Sequence, residues 1–180
     1  MKSISLKTGC GGFINLSDSV REHLGTHPGI IGLIPEISSR VTLPTDGCRL
    51  ASQISLGRVV GQSSLINTEK IGLSDNTWFA MRENRIKASR VIPGKTPLDT
   101  DIVTIVASPV AENRYELVTA WFGVYAPKEP WDPSLAGDSS AYEEAIHFWC
   151  RHGLVYSSKT MLEPFESTWG NILKIAINNN

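Results

Sequence analysis

Four cations crowd one short stretch of the chain: Arg82, Arg85, Lys87 and Arg90. With Glu83-Asn84 read as a hairpin turn, Met81 faces Ile86 and Phe79 faces Ala88, which makes one side apolar. The same register sets Arg82 opposite Arg85, with Lys87 on their face. Like charges held opposite one another destabilise a sheet unless an acid or an anionic ligand resolves the conflict. The acid would be Glu83 or one of the C-terminal carboxylates. The ligand would be a phosphate, whose oxygens match the arginine fork. Both readings stand at this level, and the second makes Arg82, Arg85, Lys87 and Arg90 a phosphate clamp.

Proton transfer needs a group that titrates near neutrality, and two histidines qualify. His147 has Glu143 one helical turn before it and Arg151 one turn after; its alternative is an exposed histidine making ordinary one-turn contacts. His152 falls within an apolar arc, where the default is a core or cleft histidine with one nitrogen bonded. His23 and His27 have four-residue spacing, but Gly25 interrupts any helix between them and no third ligand follows, so no metal site is expected. Cys10, between glycines, has no evident companion. Glu129 and Asp132 have the residue types of a glycosidase carboxylate pair, though carboxylates beside prolines are common in loops.

Other motifs fail on spacing. Gly94-Lys95-Thr96 lacks the earlier glycine of a phosphate-binding loop, since position 89 is Ser89, and prolines bracket it. Gly57 to Ser63 is neither a dinucleotide fingerprint nor a nucleophile elbow; glycines here mark close backbone approach. No cofactor is expected.

The elements that position these residues read as α+β. The 180 residues suit one domain, and 41% hydrophobic with 19% charged side chains is a globular composition. A net charge of −1 excludes a polycation, yet residues 1–90 carry 11 basic and 7 acidic side chains against 6 and 11 in residues 91–180. No apolar run is long enough for a membrane span, and three scattered cysteines fit a reducing compartment, the cytoplasm. A short helix is expected around Val20–Leu24. Strands follow at Arg40–Leu43, Cys48–Leu56, Val59–Thr68, Thr77–Arg82, Ile86–Ile92, Ile102–Val110 and Tyr115–Tyr125. After the Pro-rich loop from Ala126 to Pro133, Ser140 and Glu143 form a capping box that opens a helix running to His152, and Gly153 suits its stop. A second helical segment lies between Pro164 and Ile177.

The expectation is one domain over residues 1–180: a helix and loop lead-in (1–38), a twisted antiparallel meander of about five to seven strands (39–125), and a Pro-rich loop with a helical segment (126–180). One or two helices pack on the sheet.

The run Leu117-Val118-Thr119-Ala120-Trp121, closing a meander after a basic strand, resembles the late strands of the barnase/EndoU/colicin E5/RelE-like ribonuclease toxins. The resemblance covers roughly residues 100–126. It implies a twisted antiparallel sheet, RNA as substrate, metal-independent transesterification by a 2′-hydroxyl, and Thr119 in contact with phosphate. Unlike that family's pattern, both candidate histidines follow the sheet.

The leading expectation is therefore a protein acting on a phosphate-bearing ligand, most concretely RNA. Arg82, Arg85, Lys87 and Arg90 would hold phosphate, and His147 or His152 with Thr119 would do the chemistry. The alternative is a protein-interaction module or small homodimer. Trp121 and Trp131, near Phe122, Tyr125 and the Pro-rich loop, would anchor it, unless these rings fill the core.

Overall fold

The computed structural model describes residues 4–25, 29–82 and 87–178, with side chains to residue 174. The chain divides into two units, each assembled from two separated segments: Met1–Ser63 with Asp99–Tyr125, and Ser64–Leu98 with Ala126–Asn180.

In the first unit, alternation of apolar and polar residues produces five strands: β1 (Ile4–Lys7), β2 (Phe13–Leu16), β3 (Leu50–Ser55), β9 (Ile102–Ala111) and β10 (Arg114–Phe122). Their spatial order is β1-β2-β10-β9-β3, antiparallel except for the β2–β10 pair. The β9–β10 hairpin closes through Asn113 at φ 54°, a left-handed corner that asparagine tolerates. A bulge between Leu117 and Thr119 inserts one residue in β10, so that Tyr115 and Leu117 before it and Ala120 after it are all buried. Helices α1 (Asp18–Gly25) and α2 (Ile30–Arg40) join this core, α2 through Ile30, Ile34 and Ile37 at helical spacing. Two short strands, β4 (Gly61–Ser63) and β8 (Leu98–Thr100), pair with each other. A Cβ at Gly61 would stand 2.6 Å from the Phe122 ring, the close approach expected of a strand glycine.

The second unit has a sheet ordered β12-β6-β7-β11-β5, from β5 (Leu65–Asn67), β6 (Thr77–Met81), β7 (Ala88–Ile92), β11 (His152–Val155) and β12 (Phe165–Ser167). Its β7–β11 pair is parallel. Helices α3 (Ser139–Trp149) and α4 (Trp169–Asn178) contribute Ala145, Trp149, Trp169 and Ile172 to a core with Phe79 and Cys150. Phe79 and Trp169 meet edge to face at 5.0 Å.

The structure is α+β with mainly antiparallel strands, as the sequence predicts. The expected single sheet over 39–125 is instead divided: twelve strands among the described residues form two five-stranded sheets and one ribbon. The lead-in contains β1, β2 and α2. Residues 30–40 are helical despite Pro35, because the buried isoleucine stripe outweighs one lost backbone hydrogen bond. The predicted strand at Arg40–Leu43 is therefore the end of α2 and an extended segment. Residues 59–68 split into β4 and β5, which belong to different units. Gly94 sits in a turn at φ 73°. Helix α3 is capped by Asp138, whose side chain accepts from Ala141 N at 2.9 Å, and it ends at Trp149, so His152 opens a strand instead of ending a helix. No helix among the described residues is long and apolar enough to cross a membrane.

Candidate functional site

The basic hairpin pairs differently from the predicted register. Phe79 lies opposite Arg90, Ala80 opposite Ser89 and Met81 opposite Ala88, two residues off the expected pairing. The connection is accordingly longer than two residues, and Glu83, Asn84, Arg85 and Ile86 lie outside the described residues. The Arg82–Arg85 pairing and the role given to Arg85 fall there too.

Arg82 ends β6 and bridges to Met161. Its Nη2 donates to Glu129 Oε2 at 2.8 Å, and that carboxylate is buried, its side chain 5% exposed against 31% for Arg82. Glu129 is held inward by the Pro-rich loop. Trp149 Nε1 donates to the carbonyls of Pro127 and Lys128, and Asp132 N donates to Glu129 O at 2.8 Å. Two prolines leave this stretch few backbone donors, so side chains and one tight turn order it. Lys87 lies 6.0 Å from the Trp131 ring centre, its Nζ 3.5 Å from the Trp131 carbonyl, and Trp131 Nε1 donates to Ala88 O at 3.0 Å. Arg82, Lys87, Glu129 and Trp131 thus form one cluster in the second unit. The buried Nε of Arg82 has no acceptor among the described residues.

Arg90 is placed elsewhere in the same unit. It is 3% exposed, and its Nη1 donates to the carbonyls of Trp149, Cys150 and His152 at 3.1–3.2 Å. The guanidinium stitches the C-terminal end of α3 to β11 from within, satisfying carbonyls that a helix end leaves orphaned. Burial lowers its pKa from the usual arginine value.

His152 is half-buried and stacks on Phe148 at 3.9 Å. Its Nδ1 lies 2.8 Å from Phe148 O; a carbonyl only accepts, so Nδ1 carries the hydrogen and Nε2 is the acceptor in the neutral ring. His147 is exposed on α3 and lines a groove with Lys70 and Ile71. Thr119 is half-buried beside the β10 bulge in the first unit, opposite Val106. Trp121 is also in the first unit, donating through Nε1 to Val124 O and lying 6.4 Å from the Tyr125 ring. The structure therefore brings Arg82, Lys87 and Trp131 together, places His152 and Arg90 in the same unit, and puts Thr119 and Trp121 in the other.

Glu129 and Asp132 do different work. Asp132 accepts from Ser134 N and Oγ, capping a turn of 3₁₀ helix at Pro133–Leu135, while Glu129 holds Arg82. The sequence signal for Glu129 was its place between Pro127 and Pro130. Cys10 does have companions: its Sγ accepts from Leu43 N at 3.4 Å and lies 3.3 Å from Thr8 Oγ1, and these contacts lower its thiol pKa. That pairing spans 33 residues and leaves no local trace. Among the described residues no three of His, Cys, Asp or Glu are grouped to hold a metal ion, and His27 lies outside them.

No protein-family model matches the chain, no curated protein matches it, and no solved structure matches it.

Proposed function

We propose that the Arg82–Lys87 edge of the second unit holds the phosphate of a phosphate-bearing ligand, with RNA as the polymer to test. The observation that carries this is the state of Arg82. One side of its fork is fixed on the buried Glu129 carboxylate, while its Nε has no acceptor among the described residues. A buried N–H without an acceptor costs about 1–3 kcal/mol, and a phosphate oxygen would satisfy it. Lys87 adds a second cation and Trp131 a ring beside it. In the catalytic form of this reading His152 is the base, through Nε2, because its other nitrogen is already committed.

The test is a 5′-labelled single-stranded RNA in EDTA, followed by anisotropy and by gel. Expected are binding that weakens with salt and a log–log salt slope reduced by about 0.7 when Lys87→Gln removes one phosphate contact. Cleavage by the parent and not by a His147→Ala/His152→Ala variant would assign chemistry as well. Unchanged binding in both Arg82→Gln and Lys87→Gln would refute the reading.

A second reading, a protein-interaction surface, is favoured by the first unit alone. There Val118, Val124 and Tyr125 are exposed beside Trp121. Sedimentation of the parent against Tyr125→Asp tests it: a monomer in both sinks the homodimer version.

A further inference from the structure

A second site lies on the other side of α3 from nothing the phosphate reading uses except His147, and it is apolar. The segment from Thr68 to Asp75 runs along the end of α3, fixed by Thr68 N on Arg151 O at 2.7 Å, Ile71 N on Cys150 O at 3.0 Å, and Gly170 N on Leu73 O at 2.9 Å. Asp75 closes the far turn by accepting from Gly72 N at 2.6 Å. Between this segment and the helix is a groove of about 460 Å³, within the ~300–1,000 Å³ range of small-molecule sites. Ile71, Leu73 and Ile146 line it, over a buried Cys150. Polar groups occur only at its edge: Lys70, His147 and Glu143.

An apolar trough anchored by three backbone hydrogen bonds is pre-formed, so a ligand does not have to order it. The edge charges decide the kind of ligand. Lys70 and His147 offer donors, and the Lys70 ammonium acts electrostatically on the Cys150 thiol at the floor, which places its charge over the groove. Glu143 stands one helical turn before His147 and can accept from that ring, leaving Lys70 to meet an anion.

We infer that this groove binds a small amphiphile: an apolar chain lying over Ile71, Leu73 and Ile146, with one anionic head at Lys70. This site is independent of the phosphate reading, and inorganic phosphate does not compete for it.

The experiment is calorimetric titration of the full chain with decanoate, decanol and decyltrimethylammonium below their micelle concentrations, with amide shifts of Ile71 and Ile146 to localise binding. Decanoate is expected to bind and shift those amides, and the cationic amphiphile to bind at least fivefold more weakly. Lys70→Glu, at an exposed position, is expected to weaken decanoate three- to tenfold and to leave decanol unchanged. Absence of decanoate binding by the folded chain overturns the inference. Equal affinity for all three probes, or decanoate affinity unaltered by Lys70→Glu, overturns the head-group assignment and with it the ligand class.

Discussion

Replacing Arg90 by methionine separates a structural cation from a ligand-binding one. Nη1 has two hydrogens and faces three carbonyls at 3.1–3.2 Å, so it supplies the equivalent of about two bonds. At ~1.5–3 kcal/mol for each bond involving a charged group, the gross loss is about 3–6 kcal/mol. Methionine also removes a buried cation whose desolvation costs several kcal/mol, which offsets part of that loss. The expected net destabilisation is about 1–3 kcal/mol, read as a lower urea midpoint with unchanged slope. Amide exchange should speed up in the last turn of α3 and the first residues of β11, while β6 is less affected. RNA affinity measured well below the unfolding midpoint should stay within twofold. A midpoint within about 0.5 kcal/mol of the parent would refute the stitching role. A tenfold loss of RNA affinity in the folded variant would return Arg90 to the phosphate site.

Four further outcomes follow from the geometry. Gly61→Ala should cost about 1–3 kcal/mol, because its Cβ would stand 2.6 Å from the Phe122 ring, whereas Gly32→Ala, in open space on α2, should stabilise by about 0.5–1 kcal/mol; urea midpoints check both. Iodoacetamide at neutral pH should modify Cys10 first, since Leu43 N and Thr8 lower its pKa. Cys48 should react later, because Asp46 raises its value, and buried Cys150 only after unfolding; peptide mapping with time gives the order. The Cys150 thiol, raised by burial, favours the fold below the unfolded-chain thiol pKa, and that contribution fades as pH rises through its folded value; Cys150→Ala should flatten the alkaline limb of stability against pH. Glu36 is bound by Arg58 and Arg40 and its pKa is lowered. Its contribution is present above the ordinary carboxyl value and lost as pH falls through the lowered one, so Glu36→Gln should flatten the acid limb, an effect that weakens with salt.

Features set by neighbours in sequence were legible. The β9–β10 hairpin, the strand at 50–55, α1 and α3 follow from alternation and helical spacing within a few residues. The tail beyond Pro164, read as helical, is β12 followed by α4. What escaped depends on distant partners. Nothing near β2 announces that β10 will lie beside it in parallel, and the division of residues 59–68 between units appears only once their partners are known. Pro35 suggested a loop because local propensity opposes helix, whereas tertiary burial of three isoleucines decided the matter. In the site, the sequence showed where cations gather but not which of them face water. Arg82 and Arg90 are the same residue type eight positions apart, one on the buried Glu129 and the other on backbone carbonyls, because one ends its strand and the other sits under a helix terminus.

The interleaving of the two units makes residues 64–98 an insertion within the first. Its ends are neighbours: β4 and β8 are hydrogen-bonded, and Gln62 Nε2 donates to Asp99 Oδ1 at 3.1 Å. During synthesis β3 must wait for β9, more than forty residues later, while the inserted stretch is held as an open loop. Joining Ser63 to Asp99 through a two-residue turn would shorten that loop and lower its closure entropy by about 2 kcal/mol. Such a chain, ending at Tyr125, retains every strand of the β1-β2-β10-β9-β3 sheet and both of its helices. The second unit has no equivalent shortcut, since β5, β6 and β7 lie in one of its segments and β11 and β12 in the other. Its sheet closes only after the last third of the protein has been made.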